Sequence, residues 1–300
     1  MLTFHTLDVF TDRRYAGNPL AVVLGADALS PRQMQTIARE FNLSETIFVM
    51  APRDPAHTAR VRIFFPTAEI PFAGHPTLGC AVLLAGLSHG AGDWQATVTL
   101  EEEAGLVPVT LTRAGGLTHG TFAAPVIPHA APGRADTAAI AAALGLAAPQ
   151  IGFGPHRPDV LQGGPRFLYV PVADRHALAA ASPREPAWSA LMAAAGVDSA
   201  YLYTPGAGTD FAARMFSPTA GIPEDPATGS ATAILAANLL AAGILREGEN
   251  HFTLAQGVEM GRPSRLALTV TVAQSALAAV HIGGSAVPVS QGQIAPPQED

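Results

Sequence analysis

Residues 62–71 read RIFFPTAEIP, and residues 214–223 read RMFSPTAGIP. The two strings share Arg62/Arg214, Phe64/Phe216, Pro66/Pro218, Thr67/Thr219, Ala68/Ala220, Ile70/Ile222 and Pro71/Pro223, all at one offset of 214 − 62 = 152 residues. That offset is about half of the 300-residue chain, too long for a solenoid or propeller repeat and suited to a duplicated domain. Each copy leads, within about ten residues, into a Gly- and Thr-rich helix start: Ala73-Gly74-His75-Pro76-Thr77 after the first, Asp225-Pro226-Ala227-Thr228-Gly229-Ser230 after the second. The repeated string therefore reads as a strand that delivers each helix's N-terminus to one shared interdomain cleft. Buried scaffold is the other reading of the same repeat.

Composition agrees with two domains. A chain that is 48% hydrophobic and 14% charged can bury a large core and divides naturally into halves of roughly 150 residues. The net charge is −7 and the isoelectric point about 5.8. No cationic run is available to grip phosphate backbones, so nucleic acid is not an expected partner. The opening MLTFHTLDVFTDRRYAG lacks the charged-then-apolar layout of a signal peptide. The apolar stretches fall short of the roughly 20 residues a membrane span needs. A cytoplasmic protein without membrane attachment is expected.

All 17 basic residues are arginine. The absence of lysine removes Schiff-base chemistry and a P-loop lysine. The single cysteine, Cys80, can form neither an internal disulfide nor a two-thiol acid/base pair, and reads as a small apolar helix residue. The ten histidines form no HExxH motif and no His/Cys cluster, so no metal site is expected. Neither a GxGxxG after the first strand nor a GxSxG elbow is present.

Along the chain, TFHTLDVFT and PLAVVLG read as strands. SPRQMQTIAREFN reads as a helix capped by Ser30 with Met34, Ile37, Ala38 and Phe41 on one face. A strand is expected in TIFVM after the polar Ser44-Glu45 pair, another in AHTARVRIFFP, a buried helix in GHPTLGCAVLLAGL, and a run of strands over residues 94–125. The Ala-, Pro- and Gly-rich residues 126–165, with one helix in TAAIAAALGL, read as the junction of the halves. RFLYVPV and TDFAARMFSP read as strands, DPATGSATAILAANLLAAG as a long apolar helix, and the remainder as strands. A helix apolar on nearly all sides must be buried. The fold class that follows is α+β, with two pseudo-symmetric halves, each a mostly antiparallel β-barrel around a central helix. The first half covers residues 1–125, onto which strands 279–300 can pair back, and the second covers 126–278.

Helix N-termini carry unpaired N–H groups and a partial positive charge, which suits a small carboxylate substrate. The polar residues beside them are the chemical candidates, and each also has a structural reading. His75 is a donor whose pKa lies near working pH, or a structural hydrogen-bonder. Asp225 precedes Pro226 in the manner of an N-cap, and Thr228 and Ser230 can cap the same end. Glu45 stands in front of a buried strand; if it is buried in a cleft its pKa rises and suits acid/base catalysis, and otherwise it is an exposed loop residue.

Five ordered motifs, FTDRRYAGNPLAVV (10–23), NLSETIFV (42–49), FFPTAEIPFAGHPTLGCA (64–81), EDPATGSATA (224–233) and GVEMGRPS (257–264), make the chain similar to the PhzF-like phenazine-biosynthesis isomerase family across about residues 4–285. The resemblance implies the diaminopimelate epimerase-like fold, and a cofactor-free isomerase that moves a proton within a small cyclic amino acid such as trans-2,3-dihydro-3-hydroxyanthranilate. It assigns Glu45 as the acid/base. It makes His75, Asp225 and Ser230 substrate-binding or proton-transfer residues, with Gly74 and Gly229 offering backbone N–H groups. It also implies a homodimer. Epimerases of this fold use two cysteines at the helix starts, which this sequence lacks. Two other readings remain open at this point: a racemase or epimerase of a small amino or hydroxy acid, and a non-catalytic ligand-binding homologue.

Overall fold

A computed structural model describes residues 1–298, and the backbone divides into two compact units, Met1–Pro125 with Gly283–Asp300, and Val126–Ile282. The first unit begins with β1 (Leu2–Val9), β2 (Asn18–Leu24), α1 (Pro31–Phe41), β3 (Glu45–Met50), β4 (Ala59–Phe64) and β5 (Glu69–Ile70). It continues with α2 (Gly74–His89), β6 (Trp94–Glu102), β7 (Gly105–Ala114) and β8 (Leu117–Ala123). The second contains β9 (His129–Ala130), α3 (Thr137–Leu144), β10 (Asp159–Gln162), β11 (Arg166–Pro171), α4 (Arg175–Ala180), α5 (Ala187–Ala195) and β12 (Ala200–Pro205). Then follow β13 (Phe211–Ser217), β14 (Ile222–Asp225), α6 (Gly229–Ala241), β15 (Gly248–Gln256), β16 (Ser264–Ala273) and the last strand, β17 (Ala276–Ile294).

The first unit is a closed barrel. β1 pairs antiparallel with β2, β2 parallel with β3, β3 antiparallel with β4, and β4 parallel with β6. β6, β7 and β8 form an antiparallel meander. β8 then meets β17, and β17 returns to β1, closing the ring. The second unit repeats the same alternation: β10 antiparallel to β11, β11 parallel to β12, β12 antiparallel to β13, β13 parallel to β15, and β15 antiparallel to β16. The duplicated string occupies equivalent places, with Arg62 on β4 and Arg214 on β13. In each unit it leads through a short strand, β5 or β14, to the central helix, α2 or α6.

The shared residues of the string do the same work twice. The Arg62 guanidinium grips the Glu69 carboxylate at both ends, 2.6 and 2.5 Å, and lies over the Phe64 ring. Arg214 grips Glu224 with two bonds of 2.8 Å and lies over Phe216. Bidentate pairing fixes geometry in a way a point charge cannot, so each pair clamps the strand to the turn that feeds the central helix.

Local sequence explains the elements. Ser30 caps α1 through a full capping box with Gln33, and Met34, Ile37 and Ala38 pack with Phe48 and Phe64 of β3 and β4. Every residue of β3 is buried, as expected of a strand covered on both faces. In the second unit α3, α4 and α5 pack on β11 and β12 through Ile140, Leu178, Trp188, Leu168 and Leu202. The sequence carries no clear signal for α4, α5 and β12, because RHALAA and AWSALMAAA are short and alanine-rich and β12 shows no alternation. Residues 126–165 are not a junction: they open the second unit and supply β9, α3 and β10. Side-chain detail at Ala220 lies outside the described residues.

α2 is buried from Gly74 through Leu83, and Gly79 sets how closely it approaches the barrel wall. A Cβ at Gly79 would meet Leu20 Cδ2 at 2.6 Å and Val9 Cγ2 at 2.7 Å, whereas one at Gly86 of the same helix would meet nothing within 4 Å. Gly79→Ala is expected to destabilise the protein by about 1–3 kcal/mol through overpacking. Gly86→Ala is expected to stabilise it by up to about 1 kcal/mol through helix propensity. Urea unfolding of both variants checks the opposite signs.

Candidate active site

The carboxylate and imidazole singled out in the sequence meet in the first unit. Glu45 is the first residue of β3, not a loop residue before it, and is 8% exposed. The parallel register sets it opposite Leu20 of β2. His75 is the second residue of α2 and is 3% exposed. Its Nδ1 lies 3.3 Å from Glu45 Oε2. The pair is not an ion pair. Complete burial pushes the imidazole down to about 3, a fall that the Pro19 carbonyl only partly opposes, so His75 is neutral at physiological pH and presents a donor and an acceptor rather than a charge. Gly74, also buried, opens the helix, where the first N–H groups have no intrahelical partner.

The second unit assembles its candidates at the start of α6. Asp225 ends β14 and is buried. It is not the helix cap, because α6 begins at Gly229 and the capping position belongs to Thr228. Proline at 226 and alanine at 227 place the carboxylate a short turn ahead of the helix, where Asp225 Oδ2 accepts the Thr228 hydroxyl at 2.6 Å. Gln256, the last residue of β15, ties the turn together. Its Nε2 donates to the Asp225 carbonyl at 2.8 Å and to Thr228 Oγ1 at 2.9 Å, and its Oε1 accepts the Thr228 N–H at 3.2 Å. Gln256 has no signal in the sequence, since a strand-end glutamine is ordinary. Gly229 is buried and Ser230 half-buried in the first turn of α6.

Glu45 and His75 thus stand together in one unit, and Asp225, Thr228, Gly229 and Ser230 in the other. Among the described residues no group of His, Cys, Asp or Glu is arranged to hold a metal ion. No described helix is long and apolar enough to cross a membrane. Cys80 is buried in the second turn of α2, and burial together with the nearby Glu102 pushes its thiol far up, so it is no thiolate base.

The family model for phenazine biosynthesis-like proteins, PhzC-PhzF, matches residues 7–292. The chain belongs to this family. An uncharacterised isomerase of Mesorhizobium japonicum is 42% identical over 293 residues, covering 96% of each chain. The trans-2,3-dihydro-3-hydroxyanthranilate isomerase of Pseudomonas chlororaphis is 36% identical over 289 residues, covering 96% of this chain and 97% of that one. Among solved structures, a protein of Pseudomonas aeruginosa described as a predicted epimerase is 32% identical, with a TM-score of 0.81 and coverage of 98% and 99%. The PhzF-family chain is therefore an isomerase with the diaminopimelate epimerase-like α+β fold that its resemblance to the family implies.

Burial of His75 has a thermodynamic consequence. Its folded pKa lies below the unfolded one, so between about pH 3 and 6.5 the unfolded chain binds a proton that the folded chain refuses, and stability falls on acidification. Lowering the pH from 6.5 to 5.5 is expected to cost the wild-type protein about 1 kcal/mol more than it costs a His75→Asn variant, read from urea unfolding midpoints at the two pH values.

Proposed function

We propose that the protein is a cofactor-independent isomerase that moves a proton within a small cyclic amino acid of the trans-2,3-dihydro-3-hydroxyanthranilate type, with Glu45 as the proton carrier. The observation that carries this reading is a buried carboxylate 3.3 Å from an imidazole that burial keeps neutral. The 36% identity to an enzyme named for that substrate supports the choice of ring, and a sequence without lysine offers no Schiff base as an alternative route.

In this reading Glu45 takes a proton from one ring carbon, the π-electrons shift along the ring, and the resulting carboxylic acid delivers the proton to another carbon. Proton and electron counts are unchanged, so no oxidant or reductant is needed. A neutral His75 suits the task, because an imidazolium at this distance would hold Glu45 as a weak, ion-paired base. His75 orients the carboxyl group and hydrogen-bonds substrate or assists the transfer. Asp225 and Ser230 are assigned the same kind of role, binding substrate or assisting the transfer. Gly74 and Gly229, at helix starts, are each assigned a supporting role as backbone N–H donors to an anionic substrate group.

Epimerisation of an amino or hydroxy acid is the second reading, favoured by the 32% identity to the protein described as a predicted epimerase. The inert thiol of Cys80 argues against a two-thiol version of it. The two readings separate by their signals: isomerisation of the ring changes the absorption spectrum, whereas epimerisation changes only optical rotation.

Incubation with trans-2,3-dihydro-3-hydroxyanthranilate in deuterated water, followed by absorbance and mass spectrometry, tests the proposal. Wild-type protein is expected to convert it, and Glu45→Gln to lose at least about a thousandfold in kcat while remaining folded, in keeping with the weight of a proton-transferring group. An unchanged rate in that variant would remove Glu45 from the mechanism, and no conversion by folded wild-type protein would remove the substrate.

A further inference from the structure

A second carboxyl group lies buried under the start of α2, outside the chemistry described above. Glu102, the last residue of β6, is 8% exposed. Its Oε1 lies 2.6 Å from Thr77 Oγ1, and the same hydroxyl lies 2.7 Å from the Ala73 carbonyl. A threonine hydroxyl has one proton and cannot donate to both. The other carboxyl oxygen, Oε2, is buried with no hydrogen-bond partner among the described residues, a severe penalty for a carboxylate and a lesser one for the carbonyl oxygen of a carboxylic acid.

Proton counting resolves both features at once. We propose that Glu102 is a positioning residue held as a neutral carboxylic acid: its O–H donates to Thr77 Oγ1, Thr77 donates its own proton to the Ala73 carbonyl, and this relay fixes the first turn of α2, with Gly74 and His75. The relay matters because residue 73, at the capping position, is alanine and supplies no side-chain cap. Among the described residues the Ala73 carbonyl otherwise accepts only the long Thr77 N–H bond of 3.3 Å.

The surroundings favour the neutral acid. From α2 the groups that face Glu102 are the Thr77 hydroxyl and the Cys80 thiol, one helical turn apart, and opposite it on β7 stands Gly105. Strand alternation sends the neighbouring Glu101, with its β4 register partner Arg60, to the other face. Burial pushes the Glu102 carboxyl up to about 8, no cation among the described residues offsets it, and the bond to Thr77 only moderates the rise. Above that pH Glu102 ionises, Thr77 turns its proton to the carboxylate, and the start of α2 loses its latch.

Two readouts need no substrate. Because the folded pKa of Glu102 lies above the unfolded one, the folded chain holds a proton that the unfolded chain releases between about 4.5 and 8, so stability is lost as pH rises through that window. Between pH 6.5 and 8 the unfolding constant of wild-type protein is expected to rise about fifteenfold in all relative to Glu102→Gln, whose amide donates to Thr77 and cannot ionise. Infrared spectroscopy of wild-type protein is expected to show a protonated-carboxyl band at neutral pH that vanishes with a midpoint near 8. Thr77→Val should shift that band to the position of an unbonded acid. Parallel stability profiles, or no such band, would mean that Glu102 is already ionised and would overturn the proposal. The third readout rests on the isomerase reading: kcat of the wild type should fall severalfold through the same midpoint, and that of Glu102→Gln should not. A flat wild-type profile beside a titrating band would overturn the positioning role alone.

Discussion

Enclosure of α2 is the constraint on which the first unit depends. A helix without a polar face cannot lie on a surface, so the strands around it must close, and they do so in a ring from β1 to β17. Closure brings the helix N-terminus to the start of β3 and sets Glu45 beside His75. It also buries that corner. The chemistry of the corner follows from burial, because a buried imidazole sheds its charge and leaves a donor and an acceptor, not a cation, beside the carboxylate.

Adjacent residues on β6 show how sharply the environment varies over one strand. Glu101 accepts the N–H groups of Asp54 and Arg53 and the ring of His57. These donors hold its carboxyl down to about 2, the Asp54 amide contributing most. Glu102, facing inward, meets one hydroxyl and is driven the other way. Alternation along a strand thus sorts two identical side chains into a permanent anion that pins a loop and a neutral acid inside the barrel.

The duplication, the two central helices and most strands were legible because they rest on patterns that burial imposes locally: seven shared residues at one offset, a capping box at Ser30, and helices without a polar side. The candidate residues were legible as a list, and the approach of Glu45 to His75 was not derivable from spacing, since the two are brought together by a parallel strand pairing and a helix packed against it. Of the two readings open to Asp225, capping is excluded, because an Asp-Pro pair ordinarily begins a helix, whereas here α6 starts only at Gly229 and Thr228 takes the capping place. Gln256 and Glu102 escaped notice altogether. Their roles come from partners far along the chain, Thr228 and Thr77, and nothing in their immediate sequence marks them.

The path of β17 has a consequence for the nascent chain. The strand begins within the second unit and ends paired with β1, residues 286–294 against residues 2–9. The second unit is one continuous segment, Val126–Ile282, and can acquire its core as soon as that segment has left the ribosome. The first unit was synthesised earlier and waits longer: until residues 283–294 emerge, the gap between β8 and β1 stays open and the wall around α2 is incomplete. Domains usually fold in order of synthesis. In this chain the N-terminal unit finishes last, which leaves the apolar flank of α2 and one edge of β1 as the surfaces exposed to mispairing in the interval.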